Sequence, residues 1–129
     1  MKAGKDIMAQ WNRNTVPKCK TGECPKEVLA TIEKNYNNET FRRVVKAIYI
    51  PYHHCTTEDM GWNMYDGIPE NWEYAEERDS WWIPEGWWEV CEYAEEYGYF
   101  EITDKVIAWA NLPKPYEPKV KELYGGREK

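Results

Sequence analysis

The sequence predicts an α+β fold that is mainly β, with a small antiparallel sheet of about four to five strands, long loops and short peripheral helices. Three observations favour this class. Apolar and polar residues alternate near residue 30, an Asn-rich run separates two stretches with strand character, and Gly and Pro interrupt the regions between the other apolar stretches. At 129 residues the chain has room for one domain and one core.

The first two strands are predicted to pair as an antiparallel hairpin. Residues 26–34 place Val28, Ala30 and Ile32 on one face of a strand, and residues 41–52 form a second strand rich in Val, Ile and Tyr. The run NYNNE between them is typical of a hairpin loop, because Asn tolerates left-handed backbone conformations.

The remainder of the sheet is less regular in sequence. Residues 55–80 show no sustained period and are interrupted by glycine and proline, which predicts a long loop with short local structure. Residues 81–83 and 87–93 flank a Pro-Glu-Gly turn and are predicted to form a second hairpin. Residues 105–110 form the last predicted strand. The motif EYAEE occurs twice in this region, and it mixes strand-forming with helix-forming residues. Short helices are therefore an open alternative there.

We interpret the chain as one domain in three parts. Residues 1–25 form an N-terminal arm and loop, residues 26–116 form the sheet body, and residues 117–129 form a C-terminal tail. The body carries an acidic, Trp/Tyr-rich insertion at residues 56–104. No apolar signal segment follows the first residues and no apolar run is long enough to span a bilayer, so we expect the protein to lie in the cytoplasm of a host cell.

Charge is distributed unevenly along the chain. The net charge is -6, but residues 58–104 hold fifteen acidic residues and one basic residue, whereas the flanking segments are basic. Aromatic residues make up 16% of the chain, and nearly all of them are Trp or Tyr. Such a segment repels free nucleic acid, whose affinity for proteins comes mainly from Lys and Arg, and it attracts a basic surface. Spaced carboxylates among rigid rings can also mimic the phosphates of a nucleic acid.

The two ends of the sheet body carry a resemblance to a known family. The stretch PKEVLATI at residues 25–32 and the stretch VIAWANLPKPY at residues 106–116 resemble the small phage and prophage family called domain of unknown function 551. Trp11 and Pro17 fit the Trp and the Pro-containing loop that open members of this family. The resemblance implies a small phage or mobile-element accessory protein with a compact sheet and no assigned chemistry, and it supplies no catalytic residues.

Together these observations predict a phage protein that inhibits a nucleic-acid-binding defence complex of the host, as an anti-CRISPR protein does, by nucleic-acid mimicry. The expected partner is a host protein with a basic nucleic-acid-binding surface, with no direct contact to nucleic acid or membrane. No enzymatic activity, metal or other cofactor is predicted. The predicted partner-binding residues are Glu70, Trp72, Glu73, Glu76, Glu77, Asp79, Trp81, Trp87, Glu89, Glu92, Glu95 and Glu96.

The tryptophans leave a second class of function open. Trp81 and Trp82, like Trp87 and Trp88, are neighbours, and adjacent residues of a strand point to opposite faces. Each pair is therefore expected to supply one core ring and one outward ring. Outward rings can anchor a protein partner or stack on sugars, so a carbohydrate-binding or small hydrolytic domain is the alternative.

The cysteines leave a third class open. Cys19 and Cys24 are separated by four residues, and His53, His54 and Cys55 are consecutive, so a zinc-stabilised structural module can be drawn from them. Zinc sites usually use tighter pairs with two intervening residues, and ordinary thiols are therefore the expectation. Two disulfides would suit an exported chain, whereas free thiols suit the cytosol.

Catalytic arrangements are weakly represented in the sequence. Ser80 is the only serine and has no nucleophile-elbow glycines around it. Cys55 and His53 could share one face of a strand, but no oxyanion-binding segment accompanies them. We therefore expect a binding protein.

Overall fold

The computed structural model of the chain describes residues 10–64, 66–93 and 96–118, and these residues form a mainly β fold. Five antiparallel strands make one sheet and two short strands make another, as the sequence predicts for the fold class. The start of the predicted arm and most of the predicted tail lie outside the described residues. The strands are β1 (Val28–Tyr36), β2 (Glu39–Ile50), β3 (Tyr74–Ala75), β4 (Ser80–Trp81), β5 (Gly86–Tyr93), β6 (Glu96–Glu101) and β7 (Lys105–Asn111).

The predicted first hairpin is confirmed. β1 and β2 pair antiparallel along their whole overlap, from Val28 opposite Ala47 to Tyr36 opposite Glu39. The connection between the strands is a two-residue turn in which Asn37 and Asn38 both have positive φ, 50° and 63°. Asn adopts this conformation at low cost, and such turns match the twist of paired strands. Because the turn is so short, both strands extend further toward it than the sequence predicts.

The last strand is confirmed and lies at one edge of the large sheet. The order across this sheet is β6-β5-β2-β1-β7, so β7 pairs with β1. The outer edge of β7 is partly covered by the described part of the N-terminal arm, residues 10–25, since Asn12 and Trp109 exchange backbone hydrogen bonds of 2.7 and 3.0 Å. The Trp109 indole N–H also donates to the Thr15 hydroxyl over 3.1 Å. The arm therefore satisfies part of an otherwise open edge.

The predicted second hairpin is wrong. Residues 81–83 and 87–93 do not pair with each other; β4 pairs instead with β3. β5 lies between β2 and β6 and forms backbone hydrogen bonds with both of them. Because β2 and β6 occupy both edges of β5, no edge is left for the residues before it. The sequence analysis did not identify β6, whose mixture of Glu, Tyr and Gly lacks the pattern of a strand.

β2 is buried on both faces along its second half. Val45 and Ala47 point to one face, whereas Ile48 and Ile50 point to the other, following the alternation of a strand. On the first face they join a cluster of Ala30 and Ile32 with the partly buried Trp87, Ile102 and Val106. On the second face they join a larger cluster of Cys55, Ile83, Trp88 and Val90, with Met60, Trp62, Trp72 and Tyr99 packed against it.

The tryptophan pairs behave differently from the prediction. Trp87 and Trp88 do point to opposite faces of β5, and Trp88 is buried, but Trp87 is half-buried against the other cluster. Trp81 and Trp82 are both half-buried. The expected outward ring is therefore missing from both pairs, because packed side chains cover both faces of the sheet at β5 and short local structure surrounds β4.

Residues 51–85, which we call the excursion, connect β2 to β5 and cover the larger cluster. As predicted for residues 55–80, the excursion has short local structure: a helix α1 (Thr57–Met60), the β3 and β4 pair, and a 3-10 helix (Glu76–Arg78) between β3 and β4. Thr56 and Asp59 form a capping box at the start of α1. Within the described residues, no helix has the length and apolar character needed to cross a membrane.

The two ends of the excursion meet. The Ile83 N–H donates to the Cys55 carbonyl over 2.9 Å, and Thr56 forms an isolated bridge with Trp82. The buried Thr57 hydroxyl is 3.0 Å from the Ser80 hydroxyl. The excursion is therefore anchored at its base by backbone and side-chain hydrogen bonds next to the larger cluster.

Replacing Ile83 with Ala should destabilise the protein strongly. Ile83 is 1% exposed and belongs to the larger cluster, so Ile83→Ala removes buried apolar contacts and leaves a cavity. We expect a loss of about 2–5 kcal/mol in the free energy of unfolding, measured by urea denaturation. Val44, which is 54% exposed, provides the matched control. A Val44→Ala loss as large as that of Ile83→Ala would contradict this assignment of the core.

Candidate functional site

The predicted partner-binding residues fall into two groups in the structure. Trp87, Glu89 and Glu92 lie on β5, within the large sheet. The other described members lie in the excursion. Glu95 and the Glu96 side chain lie outside the described residues, so the prediction for them has no structural counterpart. The excursion members are Glu70, Trp72, Glu73, Glu76, Glu77, Asp79 and Trp81.

The acidic residues of β5 are paired with basic residues of β2. Arg43 lies 3.3 Å from a Glu89 carboxylate oxygen. Lys46 contacts the Glu92 carboxylate and also lies 3.4 Å from that of Glu27. β2 comes from the basic flank of the sequence, and its pairing with β5 brings the opposite charges together. Each of these two glutamates thus lies beside a basic residue, on opposite faces of the sheet, and contributes little net negative potential.

The acidic residues of the excursion have far less compensation. The excursion contains nine acidic residues and one basic residue, Arg78. Arg78 forms an ion pair of 2.7 Å with Asp59. The pKa of the Asp59 carboxyl is lowered, first by the hydrogen bond from the Thr56 backbone N–H and then by the Thr56 side chain and Arg78. Burial of Asp59 acts in the opposite direction. Among the described residues, the Glu73 carboxylate also forms a hydrogen bond with His53. Within the described residues, the excursion therefore carries acidic side chains that basic side chains largely leave unneutralised.

The 3-10 helix and the turn after it expose several of these carboxylates together. Glu76, Glu77 and Asp79 are all exposed within four consecutive positions, and Asp79 has a left-handed backbone with φ of 49°. The Tyr74 hydroxyl donates to the Asp79 carboxylate, which raises the pKa of that phenol. The Tyr74 ring packs edge-on against Trp81 at 5.1 Å. Aromatic contacts therefore support this group of charges.

A ladder of planar groups runs beside the carboxylates. The Tyr52 and His53 rings stack with centroids 4.0 Å apart, and His53 stacks on Trp82 at 4.6 Å. Arg78 lies over the Trp82 ring at 5.0 Å, in a cation–π contact. Tyr52 is 66% exposed, so this end of the ladder is open to solvent. His53 reaches the ladder because its backbone is left-handed, with φ of 48°, in the turn that follows β2.

The ladder forms one wall of a small groove with a volume of about 200 Å³. Glu73 lies in this groove with an oxygen 2.8 Å from His53 Nε2, and Glu85 lies there too. The Glu85 carboxylate accepts a hydrogen bond from the Tyr49 hydroxyl. Burial, together with this hydrogen bond, raises the pKa of Tyr49 to about 12. The groove thus combines aromatic surface with two carboxylates, which is the chemistry that binds guanidinium and ammonium groups.

The three predicted tryptophan anchors do not share one surface. Trp72 lines the groove but also packs edge-on against Trp88 at 6.2 Å, within the larger cluster. Trp81 contacts Tyr74 in the small sheet. Trp87 lies on the other face of the large sheet, edge-on to Tyr49 at 5.3 Å. An interface on the excursion can therefore use Trp72 and Trp81 but not Trp87.

The sequence analysis missed several groove residues as candidates, namely Tyr52, Trp82 and Glu85. No local sequence pattern indicates these residues, because they come from separate segments that the closure of the excursion brings together. The pair His53 and His54 at the end of β2 was the clearest indication that this turn carries polar function.

The arm and the end of β2 gather thiols and an imidazole. Cys19 Sγ lies 3.1 Å from His54 Nε2, and all four cysteines are free thiols. Cys91 lies apart from this group, on β5 beside Glu89. With the side chains as they stand in residues 10–64, 66–93 and 96–118, no three Cys, His, Asp or Glu groups are arranged as ligands of one metal ion.

No family model, curated protein or solved structure matches this chain. The resemblance to domain of unknown function 551 therefore stays a prediction from the two stretches that carry it. The fold and the site together define a small antiparallel-sheet protein with an acidic, aromatic excursion between two neighbouring strands.

Removing the Glu85 charge should lower the pKa of Tyr49. The Glu85→Gln change removes the carboxylate that accepts the Tyr49 hydroxyl, but burial of the phenol remains. We expect the pKa to fall from about 12 only part of the way toward the ordinary value of about 10. The measurement is an ultraviolet pH titration, with Tyr49→Phe identifying the signal. An unchanged titration in Glu85→Gln would show that the two side chains do not interact.

Proposed function

We propose that this chain is a phage or mobile-element accessory protein that acts in the host cytoplasm and binds a host protein through the acidic excursion. The partner carries a basic nucleic-acid-binding surface, and binding blocks access of nucleic acid to it, as an anti-CRISPR inhibitor does. The observation that carries the proposal is the excursion, with nine acidic residues and one basic residue that is already paired with Asp59. The mobile-element origin rests on the resemblance at the two ends of the sheet body.

The electrostatics of the excursion support this proposal in two ways. Glu70, Glu76 and Glu77 are exposed, and none of the described ion pairs involves them. Like charges held on a compact surface raise the rate of association with an oppositely charged partner. They also disfavour direct binding of nucleic acid, which requires phosphate neutralisation. A surface of this kind selects a protein that itself binds nucleic acid.

The groove supports specificity within the same surface. Basic channels present Arg and Lys side chains, and the groove offers Glu73, Glu85 and the open face of Tyr52 to such groups. The chain already contains an internal example of this recognition, because Arg78 pairs with Asp59 and lies over Trp82. We therefore place the centre of the interface on the groove and the 3-10 helix, and exclude Trp87, Glu89 and Glu92 from it.

Carbohydrate binding is the second candidate function. The observation that favours it is the exposed Tyr52 ring at the end of the ladder, beside polar groups of Glu73 and Asn71. A sugar stacks on one open aromatic face and hydrogen-bonds to neighbouring carboxylates and amides. Such binding depends little on salt, whereas binding of a basic protein surface weakens as salt rises.

Affinity capture from host lysate separates the two candidates. We expect the immobilised protein to retain a nucleic-acid-binding protein at low salt and to release it at high salt or on addition of competing DNA or RNA. Mass spectrometry identifies the retained protein. Retention that neither salt nor nucleic acid reduces would contradict the inhibitor proposal, and binding to a glycan array under the same conditions would support the alternative.

Charge reversal in the excursion should abolish most of this capture. The triple variant places basic residues where the partner requires acidic ones, through the substitutions Glu70→Lys, Glu76→Lys and Glu77→Lys. We expect it to associate with the captured protein at least about tenfold more slowly, measured by surface plasmon resonance. The matched control carries the same change of charge at exposed acids outside the excursion. The control substitutions are Glu39→Lys, Glu101→Lys and Glu117→Lys. Equal slowing by both variants would indicate a general effect of net charge and would contradict an interface on the excursion.

A further inference from the structure

The arm holds two cysteines on either side of a closed turn. The Glu23 N–H donates to the Lys20 carbonyl over 3.0 Å, and the Glu23 carboxylate accepts from the Lys20 N–H over 3.1 Å. Gly22 has φ of 87°, which suits the left-handed position of such a turn. Cys19 and Cys24 flank this turn directly. Pairs of cysteines around a tight turn are the usual way in which a loop presents two thiolates to one metal ion.

The sheet body presents two further ligands to the arm. His54 and Cys55 follow the turn at the end of β2, where His53 has a left-handed backbone. Cys55 is 4% exposed, and its carbonyl accepts the backbone hydrogen bond from Ile83, so its backbone position is fixed. His54 is half-buried beside it.

These groups meet where the arm contacts the body. Cys19 Sγ is 3.1 Å from His54 Nε2, and that nitrogen is 2.7 Å from the Glu23 carbonyl oxygen. The Glu23 carbonyl oxygen, which belongs to the residue directly before Cys24, also lies 3.3 Å from Cys19 Sγ, so the backbone at Cys24 lies next to the contact between Cys19 and His54. Cys55 follows His54 directly in the chain, so all four residues belong to this junction of the arm and the body. Cys91, in contrast, is remote from them on β5.

We propose that Cys19, Cys24, His54 and Cys55 bind one Zn²⁺ ion and that this ion fastens the arm to the sheet body. Three thiolates and one imidazole form a common ligand set of tetrahedral structural zinc. Two ligands from the arm and two from the body would convert a contact between a loop and a sheet into a covalent-like crosslink. The site is separate from the excursion carboxylates, so it does not depend on the proposed partner.

Binding of the ion requires side-chain movements, because no three of these groups are arranged as its ligands in the described structure. Zinc ligands at ordinary bond lengths place a sulfur and a nitrogen roughly 3.6 Å apart, so the Cys19 and His54 atoms need to separate by about half an ångström. The Cys24 and Cys55 thiols then have to turn toward these atoms through a change of side-chain rotamer. Binding of Zn²⁺ also displaces the thiol protons, because cysteine binds the metal as a thiolate.

The experiment uses the full chain and the metal alone. Protein freed of metal by EDTA is titrated with Co²⁺, whose thiolate charge-transfer and visible bands report tetrahedral sulfur ligation, and then with Zn²⁺ as competitor. We expect one ion per chain and a higher Tm with Zn²⁺ than with EDTA. Cys24→Ser should lose both effects, since the exposed Cys24 side chain supplies one ligand. Cys91→Ser is the matched control and should bind the ion like the wild type.

Two outcomes would overturn the proposal. The first is a wild-type chain that shows no cobalt thiolate bands at saturating Co²⁺, including one whose mass reveals a disulfide among Cys19, Cys24 and Cys55. The second is ion binding that Cys24→Ser leaves unchanged. Circular dichroism keeps the test independent of folding, because Cys24→Ser should have the same spectrum and Tm as the wild type in EDTA. Partner capture by the excursion is measured in a separate experiment, so failure of one proposal does not decide the other.

Discussion

Burial of β2 on both faces is the constraint on which the rest of the structure depends. Its second half contributes Val45 and Ala47 to one cluster and Ile48 and Ile50 to the other, so a shift of one residue in register would exchange the two faces. The strand also pairs with β1 and β5, and its basic side chains meet the acids of β5. The chain then leaves β2 through a turn that presents His53 to the ladder and His54 to the arm.

Local sequence predicts the parts of the fold that are formed by neighbours in the chain. The β1–β2 hairpin was predictable because Asn37 and Asn38 suit a tight turn and because the flanking residues alternate. The second hairpin was predicted wrongly because both edges of β5 are occupied, one by β2, which is far away in sequence, and the other by β6, which follows β5 in the chain. β6 has no apolar alternation to reveal it. Strand pairing over such separations depends on the competition between available edges, which a local pattern does not contain.

The same distinction applies to the candidate site. The count of charges predicted an acidic segment, and the excursion carries most of its uncompensated part. The count could not show that Glu89 and Glu92 face Arg43 and Lys46, because that neutralisation follows from the adjacency of β2 and β5. Nor could it show the groove, which forms from three segments of the excursion. Residue type indicated the chemistry, and topology decided which residues share a surface.

The closed base of the excursion has a consequence for how this protein can change. The pairing of β2 with β5 ends at Ile50 opposite Gly86. The two ends of the excursion contact each other again a few residues further on, where Thr56 forms a bridge with Trp82. The whole intervening segment is thus an enlarged link between adjacent antiparallel strands. The entropic cost of closing such a link grows only slowly with its length. Insertions, deletions or exchange of its outer part can accordingly accumulate without altering strand pairing, which allows the same scaffold to present different surfaces.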